Sequence, residues 1–202
     1  MMEWRAGLAG LIKHGIWNDV KIMYHEGMGH LNVEIKARCE NQGKARDILK
    51  SLHADFKGVD HQIDTHFKVS NGRLKLREGN IENYLIFYER ENREGPKESK
   101  VTLFENNPDS SLKEILVKAL GTFVIVDKQR EIYFVDNVKF HVDTVEGLGA
   151  FIEIEAIDRD GSIGKDRLRE QCDHYMDLLG VKADDLISVS YSDLLEKRIV
   201  DN

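Results

Sequence analysis

Phe151-Ile152-Glu153-Ile154-Glu155-Ala156 carries charge on every second residue and apolar bulk on the others. A strand has a side-chain period of two, so Glu153 and Glu155 share one face while Ile152, Ile154 and Ala156 share the other. The same pattern stands in Val33-Glu34-Ile35-Lys36-Ala37, in Arg73-Leu74-Lys75-Leu76-Arg77 and in Phe140-His141-Val142-Asp143. Alternation alone is ordinary, because a half-exposed antiparallel strand keeps its polar face in water. The sorting by sign is not: one strand holds a cationic ladder, another an acidic one. If these faces line the inside of a barrel, they build a polar tunnel suited to a polyanion and its metal ions.

The chain has 202 residues, enough for one domain with appendages and a real core. Its hydrophobic content of 41% and charged content of 32% fit a soluble globular protein. No stretch approaches the roughly 18 apolar residues of a membrane span. Leu8 to Ile12 is too short and too glycine-interrupted for a secretory h-region. Cys39 and Cys172, with no CxxC, fit a reduced cytoplasm and read as inert core residues. A formal net charge of −7 excludes a general nucleic-acid binder held by a basic surface. An anion must therefore find its cations concentrated locally, as they are at Arg73, Lys75 and Arg77.

Residues 1–30 contain both tryptophans and scattered glycines without a sustained period, so they read as an extension: a tail, an early start before Met28, or a helix packed outside the domain. From Leu31 the order is legible. Strands are expected at Leu31–Arg38, Gln62–Val69, around Leu74, Tyr84–Arg90, Ser99–Phe104, Phe123–Asp127, Arg130–Val135, Val138–Val145 and Ala150–Ile157, about nine in all. Asn71-Gly72 is a hairpin turn. Helices are expected after Asn41 as N-cap, after an Asp109 or Ser110 cap, from Ser162 to a close at Gly180, and over Ser192–Arg198. Hairpin-linked strands with helices in the gaps make the class antiparallel α+β, with a closed barrel as the arrangement that removes sheet edges. There is no GxxxxGK[ST] or GxGxxG phosphate loop and no nucleophile elbow.

Hard divalent cations take carboxylate ligands and bridge them to phosphates, so Glu34, Asp143, Glu153 and Glu155 are candidates where their faces converge. On spacing alone a solvated sheet face remains open for these acids. The cationic ladder reads less blandly, because three cations alternating on one strand repel each other unless anions or solvent screen them. Lys128 and Arg130 add a second such pair, and Lys36 sits beside Glu34.

In this order, these pieces resemble a known family. Asn32-Val33-Glu34-Ile35-Lys36 stands where the CYTH domain has its ExExK signature. Asp64-Thr65-His66-Phe67, Gly72 to Glu78, Tyr88-Glu89-Arg90, Gly95-Pro96-Lys97-Glu98-Ser99, Lys128-Gln129-Arg130, Phe140 to Gly149 and Phe151 to Glu155 follow in sequence. The chain is similar, over about Leu31 to Leu195, to this superfamily of class IV adenylyl cyclases and thiamine or inorganic triphosphatases, the triphosphate tunnel metalloenzymes, and most to the cyclase branch.

The resemblance implies an eight-stranded tunnel over residues 31–202 that takes a nucleoside triphosphate or tripolyphosphate with Mg²⁺ or Mn²⁺, in a cytoplasmic protein that forms a homodimer. Glu34, Glu153 and Glu155 would be metal ligands, with Asp143 a further ligand or water-orienting group. Lys36, Lys75, Arg77, Arg90, Lys128 and Arg130 would grip the phosphates, Lys36 and Arg130 being also the catalytic pair. Arg73 lies nearer the turn, at the rim. His66 and His141 are second-tier. Asn32 departs from the signature: its amide oxygen can ligate a hard cation but brings no negative charge. A cyclase, a triphosphatase and a non-catalytic polyphosphate-binding module all fit one such cage.

Overall fold

The computed structural model describes residues 30–90, 92 and 95–200; the expected extension, apart from His30, lies outside them. Eight strands form a closed antiparallel barrel: β1 (His30–Arg38), β2 (Asp55–Phe67), β3 (Arg73–Glu78), β4 (Tyr84–Arg90), β5 (Lys97–Glu105), β6 (Thr122–Val135), β7 (Val138–Val145) and β8 (Gly149–Asp158). Around the barrel they run β1-β5-β4-β3-β2-β6-β7-β8, and closure comes where β8 pairs with β1. The register there sets Glu34 opposite Glu155 and Lys36 opposite Glu153.

The apolar halves of β1, β7 and β8 point outward, into helices. Val33, Ile35 and Ala37 of β1 join Phe140 and Val142 of β7 and Ile152, Ile154 and Ala156 of β8 in one buried cluster. Helix α1 (Gln42–Ser51) adds Ala45 and Leu49 to it, and helix α3 (Lys165–Leu179) adds Leu168, Cys172 and Leu179. Burying a side chain of this size contributes roughly 1.5–3 kcal/mol, so the core sits between wall and helices and frees the inner face for charge. Cys172 is part of this packing: its thiol donates to the Val33 carbonyl at 3.1 Å, and burial pushes it up to about 12. Helices α2 (Leu112–Leu120) and α4 (Tyr191–Val200) complete the described elements, with a short 3₁₀ turn at Ala183–Asp185. Among the described residues no helix is long and apolar enough to cross a membrane.

Several local expectations need correction. The strands number eight, not nine, because Thr122–Val135 is one continuous strand. The polar run Asp127-Lys128-Gln129 looks like a break, but Val126, Lys128 and Arg130 keep the alternation and are all buried. Strand β2 begins at Asp55, well before Gln62, across a bulge at Phe56/Gly58 where Gly58 has φ +129°. Its early half leaves Phe56 and Val59 exposed and so lacks an amphipathic signal. Neither Asp109 nor Ser110 caps α2; that place falls to Ser111, while the Ser110 hydroxyl donates to the Asn106 side chain. Ser162 does not open α3, which starts after Gly164. The carboxylate of buried Asp158 gathers the backbone N–H groups of Gly161, Ile163 and Gly164 and holds Ser162 in a loop. Asn41 does cap α1, accepting from the Lys44 N–H at 2.9 Å.

Candidate functional site

Inside the barrel the charged half of each strand converges on a cavity of about 520 Å³. Its densest cluster forms around Asp64 of β2. The Asp64 carboxylate accepts from Lys75 at 2.8 Å and Lys128 at 2.7 Å, and from Arg77 through Nε at 2.9 Å and Nη2 at 3.1 Å. Register explains the meeting: Asp64 lies opposite Arg77 on β3 and opposite Val126 on β6, one inward position from Lys128. Burial acts to raise the Asp64 pKa, but Arg77, Lys128 and Lys75 together hold it well below the usual carboxylate range. The lysines respond in the other direction. Burial, only partly offset by Asp64, lowers Lys75 to about 8 and Lys128 to about 7.

A second cluster centres on Glu153. It accepts from Lys36 at 2.5 Å, from Arg130 Nη2 at 2.7 Å and meets His141 Nδ1 at 3.0 Å. Arg130 also forks onto Asp143, with Nε at 2.7 Å and Nη2 at 2.5 Å. Nearby, Arg90 donates to Glu34 through Nη1, while its buried Nε and Nη2 have no partner among the described residues. Glu155 accepts from the Asn32 amide, whose own Oδ1 is buried and likewise unpartnered. Burial raises the Glu155 pKa, and the carboxylates of Glu34, Glu153 and Glu82 push the same way against the pull of Lys139.

One end of the tunnel is stoppered by the chain's C-terminal part. Tyr191 donates its hydroxyl to Asp143 at 2.8 Å, and its ring lies 3.6 Å under the Lys36 ammonium. Lys97 donates to the Ile187 carbonyl at 2.6 Å. Val126, Val145 and Phe151 pack against Tyr191, sealing that end with apolar contact.

Of the residues expected from sequence, Glu34, Lys36, Lys75, Arg77, Arg90, Lys128, Arg130, Glu153 and Glu155 line this single cavity. Asp143 does not border it; it is fully buried behind Arg130, and its carboxylate is taken by Arg130 and Tyr191. Arg73 turns to the C-terminal segment, donating to Ser190 at 2.6 Å and Asp193 at 3.0 Å. His66 and His141 both face the cavity, and burial lowers each to about 3, so both are neutral.

Sequence reasoning missed three members of the lining and one residue behind it. Asp64 anchors three cations, and its alternation with His66 is the signal that could have found it. Glu82 bridges Arg77, at 2.7 Å, to Lys139 from a connecting loop that has no period. Tyr191 follows the last strand and had no signal. Buried Lys97 stood only in a loop motif.

The donor set for a hard divalent cation is of the right chemistry: carboxylates of Glu34, Glu153 and Glu155, and the free Asn32 Oδ1 beside Glu155. Among the described residues no three of His, Cys, Asp or Glu stand together as a ready coordination set, and each of these acids is engaged by a neighbouring donor. A cation bound there would displace those donors from the acids.

The CYTH domain family model matches residues 30–191. This chain belongs to the CYTH domain family. A relative from Methanocaldococcus jannaschii, named "putative adenylate cyclase", is 27% identical over 178 residues, spanning 81% of this CYTH protein and 98% of the relative. A conserved hypothetical protein from Pyrococcus furiosus has a solved structure with TM-score 0.68 and 25% identity, covering 81% of this chain and 99% of that one. A Hippeastrum protein described as a "putative adenylyl cyclase" that reveals a dominant triphosphatase activity shares the CYTH fold at TM-score 0.55 and 13% identity, over 85% of this chain and 96% of its own.

Proposed function

We propose that the tunnel carries out metal-dependent chemistry on a triphosphate, as an adenylate cyclase of the class IV type. The observation that carries this reading is the cage itself. Six cationic side chains from β1, β3, β4 and β6 face one cavity, interleaved with the carboxylates of Glu34, Asp64, Glu153 and Glu155. Such an interior matches a polyphosphate in charge, and the two unpartnered nitrogens of Arg90 are forked donors suited to phosphate oxygens.

In the cyclase reaction the ribose 3′-oxygen bonds to the α-phosphorus of ATP as its hydroxyl proton passes to solvent, the α–β bridging bond breaks, and pyrophosphate leaves with cyclic AMP as the other product. Negative charge develops on the leaving phosphates. Lys75, Arg77 and Lys128, gathered on Asp64, would hold those phosphates, while Lys36 and Arg130, gathered on Glu153, would face the reacting α-phosphate. When bound at Glu34, Glu153, Glu155 and Asn32, Mg²⁺ or Mn²⁺ would supply further neutralisation of that charge. The neutral histidines would add no charge to the cage.

The same cage supports a second reading, a triphosphatase in which water attacks the terminal phosphorus and orthophosphate is released. What favours keeping it is that the six cations all face the one cavity, and charge for a polyphosphate does not by itself select an organic group. Phosphorus NMR of the protein with ATP and with tripolyphosphate, each in Mg²⁺ and in Mn²⁺, separates them. Cyclic AMP with pyrophosphate is the expected result; orthophosphate, above all from tripolyphosphate, would replace the cyclase with the triphosphatase. No product in any of the four would leave a tunnel that binds without turnover.

A further inference from the structure

The barrel keeps one stretch of open edge. Strand β5 pairs with β4 as far as Glu105, but β1 begins only at His30, opposite Val101. Among the described residues Thr102, Leu103, Phe104 and Glu105 are therefore unpaired on their β1 side, and all four are exposed. Such an edge is a template for another strand, and Thr102-Leu103-Phe104 has neither the proline nor the charge that ordinarily blunts one. The outer face beside it is apolar as well. Register carries a row from Phe104 to Leu85 on β4, Leu76 on β3, Thr65 on β2 and Ile125 on β6. Leu76 and Thr65 in the middle are buried, whereas Phe104 at one end is 63% exposed and Ile125 at the other 52%. Helix α2, which packs on β2, has no buried residue of its own and leaves Ile115 57% in solvent.

A length of chain that could cover this surface joins the barrel at the same place. Residues 1–29 enter β1 at His30, beside the first unpaired positions of β5. Of these 29 residues 15 are apolar, a larger share than the 41% of the whole chain, and the three acids among them are balanced by three bases. A segment kept in solvent by its own composition is rich in net charge and poor in aromatics. Here both tryptophans of the protein, Trp4 and Trp17, fall in it together with Tyr24. Reach is not limiting. The row from Phe104 to Ile125 crosses four strand spacings, roughly 19 Å. The 13 residues from Trp17 to His30 extend to roughly 45 Å.

We propose that residues 1–29 are the cover: the segment leaves β1 along the open edge of β5 and lays its apolar side chains, Trp17 among them, over Phe104, α2 and Ile125. The main-chain groups of Thr102 to Glu105 then gain partners, and the apolar row gains the packing that α2 leaves incomplete. The contact lies on the outside of the wall, because Phe104 and Ile125 alternate with Leu103 and Val126, which face the cavity. It therefore holds whatever the tunnel turns over.

Because no tryptophan follows Trp17, tryptophan fluorescence of the full chain reads this segment alone. Emission spectra and acrylamide quenching are to be compared for the wild type, Phe104→Glu, Ile115→Glu and the two together. Ile199→Glu, at an exposed apolar residue of α4 near the stoppered end, is the control. All three side chains are exposed, so the barrel keeps its fold, which circular dichroism checks. The expected wild type has blue-shifted emission shielded from the quencher. Phe104→Glu and Ile115→Glu should each lower the ratio of docked to free segment about tenfold, read as a red shift with freer quenching, and Ile199→Glu should change nothing. Wild-type tryptophans as open to acrylamide as the free amino acid would overturn the proposal. So would shielded tryptophans that ignore the charges at Phe104 and Ile115, or that respond equally to Ile199→Glu. Shielding lost on dilution would also overturn it and give the face to a second copy of the chain.

Discussion

Lys128 is fully buried and pulled to about 7, so near neutral pH its amine hovers between two charge states. A polyphosphate beside it favours the ammonium. Ligand binding should therefore take up protons, with affinity level below about pH 7 and falling above it, as the free amine must be recharged. Calorimetry with tripolyphosphate at pH 8, in buffers of different ionisation enthalpy, measures this directly, and zero uptake would mean that Lys128 is already charged. Asp64 is the counterpart. Exchanging it for asparagine strips three buried cations of their shared anion, and urea unfolding should show a loss of about 3–5 kcal/mol. Because the native pKa of Asp64 is depressed, its stabilisation is present above the ordinary carboxylate value near 4 and fades as pH falls toward the native one. Asp64→Asn should accordingly flatten the acid limb of the stability curve. At this scale the sequence showed charge by strand and side, but not pairing. Which cation meets which acid depends on registers between residues as distant as Asp64 and Lys128, and on a loop acid, Glu82, that no periodicity marks.

Strand and helix ends were legible wherever local chemistry determines them. Asn41 caps α1, Gly180 closes α3 in the left-handed region at φ +70°, and Asn71-Gly72 turns β2 into β3. Gly72 is the strictest of these. It has φ +58°, and a Cβ there would stand 2.6 Å from the Phe87 ring. Gly72→Ala should destabilise by more than about 1 kcal/mol in chemical denaturation; a neutral outcome would mean the hairpin re-forms with another turn. The starts of β2, α2 and α3 escaped notice because bulges and side-chain-organised loops set them, not period. In α4, Tyr191→Phe keeps the ring under Lys36 but removes the hydroxyl from Asp143. The expected effect is a loss of about 1 kcal/mol in stability and a fall in turnover of ATP with triphosphate affinity unchanged. Thermal melts with steady-state kinetics would show whether affinity falls instead, which would put Tyr191 in ligand contact.

For the whole molecule, the alternation in β1, β3, β7 and β8 already implied a wall with two unlike faces, but on spacing alone the acidic face could equally have lain in solvent, and it was the ordered resemblance to the CYTH domain that turned it inward. What it could not reveal was the stopper, since Tyr191 meets Lys36 and Asp143 from positions far apart in sequence. The same topology has a consequence for how the protein is made. The barrel is shut by β1 against β8, and Asn32 reaches Glu155 across 123 residues. At about 5–20 residues per second of synthesis, the first strand leaves the ribosome on the order of ten seconds before the last. During that interval a charged-and-apolar ribbon waits without its partners, and the closing step belongs to the completed chain. Substitutions that weaken the β1–β8 seam should therefore reduce the yield of soluble protein in living cells more than they reduce the stability of protein already folded.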